Sequence, residues 1–323
     1  MRAITVTDDH RMTLVEVDEP TAAAGEVLVD VVAAGVNRAD LAQVAGHYPP
    51  PAGASEVPGL EVSGYRRDTG EPVVALLAGG GYADVVAVPT AQLLPVPHGV
   101  DLVDAAGVIE VAATVVSNLV LEGGMRIGTA DDDAEEAQTV LIHGATGGVG
   151  TFATQFAAAA GARVLAVAGS AEGAERLRGL GAAAAWDRHA VDLVRAVGDE
   201  GGADIVLDVL GGDALDDNVR MLREFGRVVV IGTMRGSSGS LDLGALMAKR
   251  ARIIGTTVRS RSVADKGRIL EAVQRLAWPL LESGRIAVPI HARMPLADAA
   301  RGHAILRDGG HYGKVVLEVA PPR

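Results

Sequence analysis

Three glycines are placed where a phosphate group would need them. The apolar run Thr139-Val140-Leu141-Ile142-His143 leads into Gly144-Ala145-Thr146-Gly147-Gly148-Val149-Gly150, and an Ala-rich segment follows. Helical spacing continues to Gly161, a stop signal, and Arg163-Val164-Leu165-Ala166-Val167-Ala168 is a second strand-like run. In such a unit Gly144 takes the tight turn, Gly147 or Gly148 admits a pyrophosphate to the backbone, and Gly150 lets helix and strand pack closely. The helix N-terminus then offers unpaired N–H groups and a partial positive charge. A glycine-rich turn without a ligand is the bland alternative. The ordered succession of strand, glycines, helix and strand weighs against it and points to a dinucleotide site.

The second strand settles which dinucleotide is expected. A carboxylate about 20 residues beyond the glycines commonly holds the ribose diol of NAD. Here that place reads Ala168-Gly169-Ser170. Ser170 can donate to a 2′-phosphate, and Arg176 and Arg188 are candidates for its charge, so NADP(H) is favoured. Glu172 is the counter-indication, because it can reach back to a ribose hydroxyl. A second group of polar residues lies on turn-rich segments near the N-terminus, in Gly35-Val36-Asn37-Arg38-Ala39-Asp40 and Gly46-His47-Tyr48-Pro49-Pro50-Pro51. The eight histidines show no metal-ligand spacing, His143 reads as a packed residue, and no cysteine is present. The chemistry is expected to be metal-free.

The elements that must position these residues follow from periodicity. Val27–Val32 and Val85–Val88 read as strands, and the pattern is helical from Asp104 to about Leu121. The acidic run Thr129–Glu136 reads as a solvated loop. Apolar runs recur at 139–144, 163–168, 183–186, 204–209, 227–232 and 252–258, with helical stretches between them. They supply the six strands of a doubly wound parallel sheet. A further helix fits 263–283, and an irregular tail ends in a strand at Lys314–Val319. A length of 323 residues makes two domains the natural expectation. The net charge of −12 argues against nucleic-acid and anionic-membrane binding. No run is long and apolar enough to span a bilayer, and Met1–Asp9 lacks the apolar core of a secretory signal. A cytoplasmic protein is expected.

These segments carry a family resemblance. Asn37-Arg38-Ala39-Asp40-Leu41, Gly46–Ser55, Pro58-Gly59-Leu60-Glu61, Ala75–Ala83, Ile142–Thr151, Ala168-Gly169-Ser170 and Tyr312–Leu317 together resemble the medium-chain dehydrogenases/reductases. More narrowly they are similar to the zinc-independent NADPH:quinone oxidoreductases, in particular the p53-inducible branch. The resemblance implies an α/β fold: a Rossmann doubly wound parallel sheet plus a GroES-like β-rich catalytic domain. It assigns 1–117 and 263–323 to the catalytic domain and 118–262 to the NADP(H)-binding domain. Zinc-dependent relatives carry Cys-His where this chain has Asn37-Arg38, and Gly-His-Glu where it has Gly59-Leu60-Glu61.

By the same resemblance, Asn37 and Tyr48 are the catalytic residues beside nicotinamide and substrate. Thr114, Gly144, Thr146, Gly147, Gly148, Val149, Gly150, Ser170 and Arg188 follow the cofactor, with Ile231, Gly232 and Lys314 closing around it. Departures are Ile109 in place of a proline, no lysine near Gly173, Arg188 in place of a tyrosine, and a short loop over Tyr65–Glu71. The expected reaction is hydride transfer to a quinone or other conjugated carbonyl, with Tyr48 and Asn37 donating to the acceptor oxygen. Enoyl or enone reduction by the same fold, or NADPH binding without turnover, are the alternatives. Asp40 and Glu61 are expected to be structural, pairing with Arg38 or backbone. The β-prone run Arg252–Val258 is expected at a sheet edge, where pairing with a second copy would form a homodimer.

Overall fold

The computed structural model describes residues 1–128 and 137–322, and the acidic run 129–136 lies outside the described residues. Two compact units form: Met1–Ala113 with Val258–Gly284 and Val288–Arg323, and Thr114–Thr257 with Arg285–Ala287.

In chain order the first unit contributes β1 (Arg2–Val6), β2 (Met12–Glu16), β3 (Glu26–Val36), α1 (Arg38–Val44), β4 (Glu61–Arg66), β5 (Pro72–Leu76), β6 (Val85–Pro89), β7 (Leu93–Pro95) and α2 (Leu102–Ala105). The chain then runs through α3 (Ile109–Val115) into π-helical turns over Val116–Glu122. The helix expected from Asp104 onward is therefore broken around Gly107, and its last turns are widened. Gly123 N–H bonds the carbonyl of Asn118, five residues back.

The second unit holds β8 (Thr139–Ile142), α4 (Gly148–Ala159), β9 (Arg163–Ala168), α5 (Ala171–Gly179), β10 (Ala184–Asp187), α6 (Leu193–Asp199), β11 (Ala203–Asp208), α7 (Ala214–Met221), β12 (Leu222–Val230), α8 (Leu243–Ala248) and β13 (Arg252–Gly255). The chain ends with α9 (Val263–Leu276), α10 (Trp278–Glu282), β14 (Ile290–Pro295), α11 (Ala299–Asp308) and β15 (Lys314–Glu318).

All six strands of the second unit pair in parallel in the order β10-β9-β8-β11-β12-β13. This is the doubly wound sheet expected from the alternation. Its central strands are continuous Val, Leu, Ile and Ala because helices cover both faces, and Leu141, Leu165, Val206 and Val228 are buried in one cluster. β8 and β11 lie side by side, so the glycine turn after β8 emerges at the middle of the sheet, where the strand order reverses.

The first unit is built on β3, which pairs with β4, β6 and β15 in a seven-stranded sheet. Val29, Val31, Val62, Val315 and Leu317 are buried at its heart. Two expectations need correction here. The long helix over 263–283 is two helices, because Pro279 has no N–H to continue the first ladder and instead occupies the opening turn of α10. The tail is regular, since β14 and α11 precede β15.

Candidate active site

In the first unit, strand pairing brings a lysine to an asparagine. Val315 lies opposite Val36 across the β15–β3 ladder, which sets Lys314 beside the residue that follows β3. Lys314 Nζ donates to Val36 O at 2.9 Å and to Asn37 Oδ1 at 2.6 Å, and pairs with Glu61 Oε1 at 2.6 Å. Asn37 Nδ2 donates to the same Glu61 oxygen at 3.0 Å, and Glu110 N–H donates to the other at 2.9 Å. The Lys314 and Glu61 side chains are 3% and 0% exposed. Only glycine fits at 35, because a Cβ there would lie 2.3 Å from Glu61 Oε1. These three acceptors match the three N–H bonds of the Lys314 ammonium. Its ammonium lies behind Asn37, engaged by Val36, Asn37 and Glu61.

Asp40 and Glu61 are structural, and of the two expected kinds of partner, Arg38 or backbone, both accept from backbone N–H groups. Asp40 accepts from the N–H groups of Asn37 (2.8 Å) and Gly59 (3.2 Å) and from the Tyr82 hydroxyl (3.1 Å). Burial pushes its carboxyl up to about 6, against those hydrogen bonds and the charge of Lys314. Tyr82 OH also lies 3.2 Å from His303 Nε2. Burial, with Arg307 adding to it, holds that imidazole down to about 4.

Tyr48 is half-buried on the proline-rich loop. Its N–H donates to Ala42 O at 3.2 Å, and its carbonyl accepts from Arg259 Nη1 at 3.0 Å. The Arg259 guanidinium carbon lies 5.1 Å from the centroid of the Tyr48 ring. The glycine triplet 79–81 serves this region as packing space. A Cβ on Gly79 would fall 2.4 Å from Ser55 O, and one on Gly81 3.0 Å from Gly59. These glycines allow close loop-on-loop contact. Arg259 had no signal in the sequence; it becomes visible only when the fold brings it to Tyr48.

In the second unit the glycine turn has the expected geometry. Gly144 has φ +60°, in the left-handed region where a side chain is strained. A Cβ on Gly150 would lie 2.4 Å from Ala145 Cα. Gly147 precedes α4, whose first turn is Gly148, Val149 and Gly150, and no side chain caps it. By contrast α5, α6, α8 and α9 are capped by Ser170, Asp192, Asp242 and Ser262. Thr146 packs against Gly173, where a Cβ would lie 2.9 Å from its methyl group.

Beyond β9, Ser170 Oγ accepts from Gly173 N–H at 3.1 Å, which leaves its own proton to donate. Arg188 lies over Gly169, with Nη1 3.3 Å from where a Cβ would stand. Glu172, the counter-indication, is exposed and ion-paired with Arg176 at 2.6 Å. Gly144, Val167, Arg188 and Leu210 help to line a cavity of about 50 Å³. His143 is buried with Nε2 2.7 Å from Asn218 Oδ1, the packed residue expected. Thr114 is buried and its carbonyl accepts from Asn118 Nδ2 at 2.7 Å. Ile231 N–H bonds Asp208 O at 2.8 Å, and Gly232 packs on Val209, where a Cβ would lie 3.0 Å from its carbonyl. The uncapped helix, the glycines that exclude a Cβ and the guanidinium at the β9 end fit a phosphate-bearing dinucleotide.

Residues 23–98 match the alcohol dehydrogenase GroES-like domain, and residues 148–278 the zinc-binding dehydrogenase domain. The quinone oxidoreductase of Thermus thermophilus, solved alone and with NADPH, superposes with a TM-score of 0.83 at 30% identity, covering 99% of this chain and 100% of that one. The chain belongs to the medium-chain dehydrogenase/reductase family. Quinone oxidoreductase from Rattus norvegicus is 28% identical over 317 residues, 92% of this chain and 90% of the relative. The Escherichia coli quinone oxidoreductase complexed with NADPH gives a TM-score of 0.81 at 25% identity, with 98% of each chain covered.

The protein is thus an NAD(P)H-dependent oxidoreductase built from a GroES-like domain and a Rossmann-like domain. Among the described residues, no three His, Cys, Asp or Glu side chains group as a metal ion would require. Also among them, no helix is long and apolar enough to cross a membrane. Turnover of the enzyme is expected to survive dialysis against a strong chelator. Loss of activity that only added zinc restores would overturn that expectation.

Proposed function

We propose that this enzyme reduces a quinone, or a similar conjugated carbonyl, with NADPH. The observation that carries the reading is Arg188, whose guanidinium lies over Gly169 beside Ser170, where an NAD enzyme would place a carboxylate. Quinone reduction is supported by the quinone oxidoreductases with which the chain shares its length.

The N–H groups of Gly148, Val149 and Gly150 hold the pyrophosphate, and Gly144, Thr146 and Gly147 shape the turn beneath it. Ser170 OH and Arg188 hold the 2′-phosphate, with Thr114, Ile231 and Gly232 further along the cofactor. Bound there, the reduced nicotinamide supplies a hydride. The acceptor then needs orientation and stabilisation of an oxyanion more than a strong acid, because a hydroquinone anion is delocalised. Tyr48 OH donates to that oxygen. Asn37 supports it with the second hydrogen of Nδ2, the first being committed to Glu61. Lys314 sets the sense of the amide, since an ammonium at Oδ1 leaves Nδ2 as the donor end. The product oxygen finally takes a proton from water.

Assaying quinones, enones and enoyl thioesters with NADPH and NADH tests the reading. The highest kcat/KM is expected for a quinone with NADPH. An enoyl thioester at the top of the series would transfer the same site to enoyl reduction, and binding without turnover of any acceptor would remove the enzyme reading. Arg188→Ala is expected to weaken NADPH binding about fivefold, the scale of an exposed charge pair, and to leave NADH binding unchanged. Equal losses for the two cofactors would place Arg188 off the 2′-phosphate.

We further propose a homodimer joined at β13. This strand ends the parallel sheet, carries Ile253 and Ile254, and follows α8, whose Leu243 and Met247 are 63% and 74% exposed. Pairing with a second copy covers an edge that is otherwise an aggregation hazard. Sedimentation at micromolar concentration is expected to show a dimer, and a monomer there would contradict the proposal.

A further inference from the structure

We infer that Arg259 is a positioning residue for acceptor reduction, holding Tyr48 in place and keeping a positive charge against its ring. The inference rests on the reading of Tyr48 as the acceptor's hydrogen-bond donor.

The geometry is a three-point clamp. Arg259 Nε donates to Ala78 O at 2.9 Å, Nη1 to Tyr48 O at 3.0 Å and Nη2 to Gln43 Oε1 at 2.5 Å. These acceptors lie on three separate segments: the turn after β5, the proline-rich loop and α1. The planar guanidinium presents these three donors from one rigid fork, which a flexible ammonium cannot do. Gln43 extends the clamp, because its Nε2 donates to Glu56 O at 2.8 Å. The loop that carries Tyr48 is thus fastened at Tyr48 from Arg259, and at Glu56 through Gln43. Gly46, His47 and Tyr48 N–H groups tie its start to α1. Between the two fastenings, Pro49, Pro50 and Pro51 limit what remains free to turn.

The partners are as informative as the distances. Two are carbonyls and one is an amide oxygen, so these three bonds hold a guanidinium that is 5% exposed without a carboxylate among them. Burial lowers its affinity for a proton, and the charges of Asp40 and of the Tyr48 phenol group when ionised work against that. A scaffold role is served equally well by a neutral side chain or by a local ion pair. A desolvated cation within cation–π range of one phenol suits a site where negative charge develops next to that phenol.

The test is a double-mutant cycle in the full-length enzyme, with 1,4-benzoquinone as acceptor and NADPH saturating. Arg259→Gln is expected to lower kcat about tenfold or more, with the Kd for NADPH unchanged within about twofold. In a Tyr48→Phe background the same substitution is expected to cost less than about twofold, because the two residues act as a unit. Arg259→Lys is expected to recover part of the lost kcat, since it keeps the charge and loses the fork. If Arg259→Gln does not fold, the cycle is run with Arg259→Lys. Near wild-type kcat in the Arg259 variants, or an equal loss with and without the Tyr48 hydroxyl, overturns the inference and leaves Arg259 as scaffold. Wild-type turnover in Tyr48→Phe alone instead overturns the reading of Tyr48, whatever the Arg259 variants do.

Discussion

Lys314→Met is expected to destabilise the protein by about 3–5 kcal/mol, the cost of removing one partner from a buried ion pair. Glu61 is fully buried, and Lys314 Nζ at 2.6 Å is its charge partner. Without the ammonium, the carboxylate keeps, among the described residues, the Asn37 amide and the Glu110 N–H. Both are neutral donors, and neither offsets the desolvation of a full charge. Methionine matches the length of the lysine stem, so the loss is electrostatic and leaves little cavity. A combined Lys314→Met, Glu61→Leu variant is expected to recover part of the loss, because a buried pair compares poorly with apolar packing even where breaking it is costly. Urea unfolding of the two variants beside the wild type measures this. A loss below about 1 kcal/mol in Lys314→Met would mean that the fold does not depend on the charge at this position.

Tyr48→Phe is expected to lower kcat for quinones about ten- to a hundredfold while leaving NADPH affinity nearly unchanged. The scale is roughly 1–3 kcal/mol for a hydrogen bond to a developing oxyanion. The ring is held by its backbone, since Ala42 O takes the N–H and Arg259 the carbonyl. Removing the hydroxyl leaves both of these backbone bonds in place. Stopped-flow reduction of a quinone and fluorescence titration of NADPH separate the two effects. Turnover equal to wild type would make Tyr48 a loop anchor, and lost NADPH binding would make it a cofactor contact.

The cofactor half of the protein was legible in the chain because its geometry is local. Gly144 takes its positive φ, and Gly150 its contact with Ala145, within a single strand–turn–helix unit of about a dozen residues. The parallel strands were equally legible, since burial on both faces leaves continuous apolar runs that helices must separate. Segment boundaries were less so. Pro279 opens α10 where an uninterrupted helix was expected, and β14 and α11 stand in a tail whose pattern looked irregular. Short elements carry too few residues for periodicity to register.

The arrangement in the first unit depends on residues distant in sequence. Residue types marked Asn37 and Tyr48 as polar groups on turns, and the family resemblance marked Glu61 and Lys314, but none of them as partners. Lys314 reaches Asn37 across 277 residues, and Arg259 reaches Tyr48 across 211. No spacing rule connects positions so far apart, because the β15–β3 register and the packing of the segment after β13 are products of the whole fold. By itself the sequence determined the doubly wound sheet, the dinucleotide turn and a β9 end without a carboxylate, each set by contacts a few residues apart. Tertiary structure alone decided that Lys314 turns inward to Glu61 and that Arg259 stands over Tyr48. A buried charge must find its counter-charge or its acceptors wherever the folded chain brings them.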